Sequence, residues 1–145
     1  MSQAVIDTSV SAAWVLKDEA TERSWQLLDR VLAGRVVPVV PAVWHYEMLN
    51  VLRTAVGIER VTAIEAARLT DLLDRLPVEI VPVEAQGAAA ILTAALDRDL
   101  SAYDAAYFSL AQRRGLQLIT ADGGILRLRS TYPRICALDA FLNDA

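Results

Sequence analysis

Ala4-Val5-Ile6-Asp7-Thr8-Ser9 decides how the chain is read. A β-branched apolar run that ends in an acid and two hydroxyl residues is a short buried strand at its turn towards a helix. Working outward, a helical stretch is expected from Ser9 to Lys17, and a second from Thr21 to Ala33 with Gly34 closing it. Val36 to Val40 reads as a strand, and Pro38 within it and Pro41 after it predict an irregular or edge position. Pro41 to Val56 reads as a helix ending at Gly57, and Thr62 to Leu76 as another stopped by Pro77. There follow a strand over Val78 to Val83, a helix over Ala85 to Leu96, and a helix over Ser101 to Arg114 closed by Gly115. Leu116 to Thr120 is a strand, Gly124 to Leu128 a short helix, and Ile135 to Leu138 the last strand. Strands separated by helical crossovers must run parallel, and a parallel sheet needs helices on both faces. The expected fold class is α/β, a three-layer α/β/α sandwich around a central parallel sheet.

The 145 residues suit one domain, 1–145, with one core. A composition of 54% hydrophobic and 22% charged residues excludes intrinsic disorder. Apolar runs such as Val36-Val37-Pro38-Val39-Val40 fall far short of the roughly 20 residues a membrane span needs. No basic run followed by a long apolar block opens the sequence, so a cytoplasmic location is expected. One cysteine, Cys136, and one histidine, His45, provide neither an internal disulfide nor a zinc ligand set. The net charge of −4 and pI near 4.9 argue, on their face, against a nucleic-acid partner. That argument weakens if four acids are gathered to hold a cation, because the fourteen basic residues then face fourteen others.

Four acids stand out. Asp7 and Asp122 each follow a strand, and the carboxyl edge of a parallel sheet is where ligands gather. Either alone could be a helix N-cap. Glu47 lies inside a helix among apolar and aromatic residues, and Asp104 shares a helical face with Phe108 and Ala111. A carboxylate on an apolar face costs free energy unless something compensates it. The rival readings are an N-cap or first-turn acid for Asp104 and an exposed Glu for Glu47. Asn50, three residues after Glu47, could orient that carboxylate or a metal-bound water. Ser9 and Thr120, each two residues from an acid, could serve as supporting donors.

The sequence resembles the PIN domain family, and within it the VapC-type toxins of bacterial toxin–antitoxin pairs. The resemblance rests on Val5-Ile6-Asp7-Thr8-Ser9, on Glu47 with Asn50 and Leu52, on Leu100-Ser101-Ala102-Tyr103-Asp104-Ala105-Ala106-Tyr107, and on Thr120-Ala121-Asp122. It implies a metal-dependent ribonuclease in which Asp7, Glu47, Asp104 and Asp122 hold Mg²⁺ or Mn²⁺, directly or through water. All-oxygen ligands suit those hard ions. The family further implies an RNA substrate (tRNA and rRNA are the candidates), a cognate antitoxin and a homodimer. His45 falls outside the motif and is expected to be structural. Arg113, Arg114, Arg127 and Arg129 are the expected RNA contacts, and Trp14 and Trp25 candidate anchors for the antitoxin. A housekeeping nuclease without an antitoxin and a non-catalytic binding module remain open as alternatives. A dinucleotide or P-loop fold would need glycines where Asp7-Thr8-Ser9 stands.

Overall fold

A computed structural model describes residues 1–84 and 87–144. Five parallel strands form its sheet: β1 (Ser2–Ile6), β2 (Val36–Pro41), β3 (Glu79–Val81), β4 (Leu118–Ile119) and β5 (Ile135–Cys136), in the order β3-β2-β1-β4-β5. The helices are α1 (Thr8–Ser11), α2 (Glu22–Leu32), α3 (Val43–Gly57), α4 (Ala63–Arg75), α5 (Gly87–Arg98), α6 (Ala102–Arg114), α7 (Gly123–Leu126) and α8 (Leu138–Asn143). The expected three-layer α/β architecture is what forms. The expected helix start at Ala85 lies outside the described residues. None of the described helices is long and apolar enough to cross a membrane.

The chain leaves β1 towards β2 and β3, then returns to place β4 on the other side of β1. That reversal makes the β1/β4 boundary a topological switch point. Right-handed crossovers put the outgoing and returning connections on opposite faces. Helix α2, packed on α8, covers one side, and the α5–α6 pair lies against the sheet with α6 across β1, β2 and β4. Ala4, Val5, Ile6, Val39, Val40, Leu118 and Ile119 are buried between them.

Four expectations need correction. Strand β2 is not an edge: it pairs with both β1 and β3. Its prolines fit because the N–H direction alternates along a strand. Ala42 donates to Val81, so Pro38 faces β3, whose ladder starts only at Val39. Pro41 faces β1 beyond the last pair, Val5↔Val39. Both missing donors therefore fall where no acceptor waits. The helix after β1 is shorter than expected. It becomes a 3₁₀ turn over Ala12–Trp14, which lets Trp14, Val15 and Leu16 all enter the core. A continued helix would turn at least one of these consecutive residues outward. Helix α8 follows β5 unannounced, seating Phe141 and Leu142 in the core.

The fourth correction concerns how α3 ends. Gly57 lies inside its last turn, and the left-handed residue is Glu59, at φ 60°. Arg60 N–H donates to the Ala55 carbonyl and Glu59 N–H to Val56, the bonding of a Schellman cap. A side chain at positive φ carries a steric cost that glycine avoids. Glu59→Gly should therefore stabilise the protein by about 0.5–1 kcal/mol. A urea midpoint that stays level or falls would show that Glu59 contributes something beyond its backbone.

Candidate active site

The strand ladder itself delivers Asp7 to the switch point. Its N–H donates to the Ile119 carbonyl at 3.0 Å, which sets Asp7 beside Thr120 at the carboxyl edge. Asp7 is 4% exposed and Thr120 fully buried. The Ser9 and Thr120 hydroxyls donate to Asp7 Oδ2 at 2.7 and 2.8 Å. Each hydroxyl is held in turn by the chain after β4: Ala121 N–H donates to Ser9 Oγ at 2.9 Å, and Asp122 N–H to Thr120 Oγ1 at 3.0 Å. Two turns on neighbouring strands are thus tied together through one carboxylate. The supporting donors expected at Ser9 and Thr120 are the residues that touch Asp7.

Asp122 caps α7, its Oδ2 accepting from Ile125 N–H at 2.9 Å. Asp104 sits in the first turn of α6 behind the N-cap Ser101, whose Oγ accepts from Asp104 N–H. Both acids thus occupy the capping and first-turn positions that a structural reading allows, while facing the same region. Glu47, half-buried on α3, accepts at Oε1 from the Tyr107 hydroxyl at 2.7 Å, with Thr8 Oγ1 3.2 Å from the same oxygen. Asn50 makes no hydrogen bond to Glu47 among the described residues. It lines a groove of about 360 Å³ with Thr8, Ser9, Thr54, Glu19 and Arg60.

The electrostatics are those of crowded, uncompensated acids. Burial pushes the carboxyl of Asp7 up, against the Ser9 and Thr120 hydrogen bonds that lower it and with a further upward push from the charge of Asp122. Burial likewise raises Glu47, with the charges of Asp7 and Asp104 adding to it. Asp104 is raised by burial and then by the charges of Asp122 and Asp7. Among the described residues no lysine or arginine forms a salt bridge with any of the four. All-carboxylate donors suit a hard divalent cation. As placed, no three His, Cys, Asp or Glu side chains among the described residues are grouped as a finished metal shell.

A family model for the PIN domain matches residues 4–130. The chain belongs to the PIN domain family. Proteins with this domain are typically nucleases and usually use divalent metal ions. No curated protein matches the sequence. The fold is similar to the crystal structure of PAE2754 from Pyrobaculum aerophilum, with a TM-score of 0.69 and 21% identity over 99% of this chain and 97% of that one. It is also similar to a chain of a toxin–antitoxin complex from Klebsiella pneumoniae, with a TM-score of 0.62 and 16% identity over 93% and 97%.

Within this PIN domain the expected RNA arginines are engaged elsewhere. Arg114 pairs with Glu79, the first residue of β3. Arg113 pairs with Glu84 in the same last turn of α6. Arg127 donates to the carbonyls of Arg98 and Asp99 at the end of α5. Arg127 and Arg129 are both exposed without an ion pair among the described residues, and of the two only Arg127 has a hydrogen bond there. Trp14 is 3% exposed and belongs to the core, so it offers no docking surface, whereas Trp25 is 44% exposed. His45 packs its ring against Trp44. Tyr107 and Thr8 stand in the quoted motifs without an expected role, and the structure places both at the site. The available signal was a tyrosine one helical turn after Asp104, since a buried phenol needs a hydrogen-bond partner.

A raised Asp7 carboxyl has a definite sign in stability. The folded state then favours the protonated form, so the penalty grows as pH rises from about 4, the unfolded value, and is constant above the folded one. Asp7→Asn keeps an acceptor oxygen for Ser9 and Thr120 and removes the charge. The metal-free variant should melt above the parent at pH 7, and the gap should close as pH falls towards about 4. A variant that melts lower at pH 7 would mean that the hydroxyl network, not the buried charge, dominates.

Proposed function

We propose that this PIN domain is a Mg²⁺- or Mn²⁺-dependent endoribonuclease, the cytoplasmic toxin of a VapBC-type pair, in which Asp7, Glu47, Asp104 and Asp122 hold the ion directly or through water. One observation carries the reading: four acids within one another's field at the carboxyl edge, with no cationic side chain paired to any of them among the described residues. A structural ion pair or a set of caps would not need to accumulate charge in this way. When bound, the ion supplies a Lewis acid that activates water and offsets charge on a phosphodiester. The chain's own residues do the rest. Ser9 and Thr120 fix the orientation of Asp7, the α7 amide holds Asp122, and an open groove lies beside Thr8 and Ser9. No side-chain nucleophile is needed.

The acidic total charge is compatible with this, because the repulsion is concentrated where a cation neutralises it. Four uncompensated carboxylates would equally accept an arginine from a protein partner, which gives an antitoxin a means of silencing the site. The likeness to a chain from a toxin–antitoxin complex supports that partner, and the homodimer belongs to the same reading.

Incubation of the purified chain with bulk tRNA and rRNA should give cleavage with Mn²⁺ and none with chelator. Asp7→Asn should lose cleavage by a factor of about a hundred or more with unchanged circular dichroism. Cleavage in chelator, or a fully active Asp7→Asn, would remove the metal site from the mechanism.

Expression alone should arrest growth, and co-expression of a cognate small protein should relieve the arrest. Unimpaired growth with full nuclease activity in vitro would favour a housekeeping nuclease over a toxin.

A further inference from the structure

Tyr107 is fully buried, yet its hydroxyl reaches the site. It donates to Glu47 Oε1 at 2.7 Å, while Thr8 Oγ1 stands 2.8 Å from the phenol oxygen and 3.2 Å from the same carboxylate oxygen. A phenol carries one proton. With that proton directed at Glu47, Thr8 must be the donor in the Thr8–Tyr107 contact, and the bonds run Thr8 to Tyr107 to Glu47. Both hydroxyl oxygens lie near Oε1, which takes the Tyr107 proton, and no hydrogen bond reaches Oε2 among the described residues.

We propose that Tyr107, braced by Thr8, is a positioning residue that clamps one oxygen of Glu47 and presents the other to the divalent ion. The inference rests on the metal-dependent reading above. A free glutamate samples many rotamers about three bonds, and holding it for a ligand costs entropy at each binding event. Here that ordering is completed in advance by three separate elements, since Thr8 opens α1, Glu47 lies on α3 and Tyr107 on α6. A phenol carries its proton at neutral pH, so it remains a donor. Outer partners of this kind tune metal affinity through the ligands they orient. A purely structural account is also definite: a buried phenol needs an acceptor, and Glu47 would be no more than that.

The two accounts part on metal binding. Tyr107→Phe keeps the ring in the core and removes the hydroxyl, and Thr8→Val keeps the shape of Thr8 and removes the first donor. Tyr132→Phe is the control, because its hydroxyl serves the Ala111 and Leu116 carbonyls at the far end of α6. Mn²⁺ titration by calorimetry on RNA-free protein should show affinity weakened about tenfold in Tyr107→Phe. In steady-state cleavage kcat should fall by about the same factor with KM for RNA unchanged. Thr8→Val should move both in the same direction by less, and the double variant should be no worse than Tyr107→Phe, as members of one chain of bonds are not additive. Tyr132→Phe should lower the melting temperature and leave Mn²⁺ affinity alone. If the parent binds Mn²⁺ and cleaves RNA while Tyr107→Phe and Thr8→Val match it in both, Tyr107 is structural and the inference fails, with the metal-dependent reading intact. A parent that neither binds Mn²⁺ nor cleaves removes the reading and the inference together.

Discussion

A carboxylate buried at the end of the central strand is the constraint around which the molecule is arranged. Taking an ion of this size out of water costs several kcal/mol even after relaxation. Two hydroxyl donors return about 1.5–3 kcal/mol each. The balance stays on the side of burial, which is why the carboxyl of Asp7 is displaced upward despite Ser9 and Thr120. Those donors come from both sides of the switch point, and the amides of Ala121 and Asp122 pin them. Asp7 therefore organises the β1–α1 and β4–α7 turns while weakening the state that contains it. Local cost against global fit is what a functional site looks like in an otherwise consistent sequence.

The same tension governs the distribution of charge. Thirteen arginines are present, and any of them could have quenched the acids. Those paired instead bind Asp18 and Glu19 through Arg60, Glu79 through Arg114, Glu84 through Arg113 and Asp139 through Arg23, all partly exposed pairs of small individual worth. Among the described residues, the spot where a cation would contribute most is the one left without a side-chain partner.

The central strand, the parallel sheet and all four acids were legible because each leaves a local mark: a β-branched run, an acid at a strand end, a carboxylate on an apolar helical face. What escaped depends on partners distant in sequence. Pro38 argues for an edge strand until the register shows that its missing donor faces a place where β3 has not begun. Gly57 is the obvious helix stop, yet the cap geometry falls two residues later on Glu59, where no composition signal exists. Arg113 and Arg114 lie close to Asp104 along the chain, but a helix of thirteen residues carries them away from it, to Glu84 and Glu79. Trp14 and Trp25 look alike as amphipathic anchors, and packing alone separates the buried from the exposed one.

For two of the acids, the choice between a structural and a functional carboxylate dissolves on inspection of the helix starts. Asp122 is the N-cap of α7, and Asp104 lies in the first turn of α6. An acid near a helix N-terminus gains about 0.3–1 kcal/mol from the unpaired amides and the helix field. Parallel strands feed their helices at the carboxyl edge, so the topology collects such termini on the side where Asp7 ends β1. Amides are fixed partial charges that cannot swing away, as an arginine side chain can, and they do not fill the space a cation needs. They lower the cost of gathering carboxylates without neutralising them. Capping is thus the means by which this fold tolerates a cluster of acids with no side-chain counter-ion among the described residues. It accounts for why those acids sit at helix starts, and leaves unmet the charge that any ligand of the site must supply.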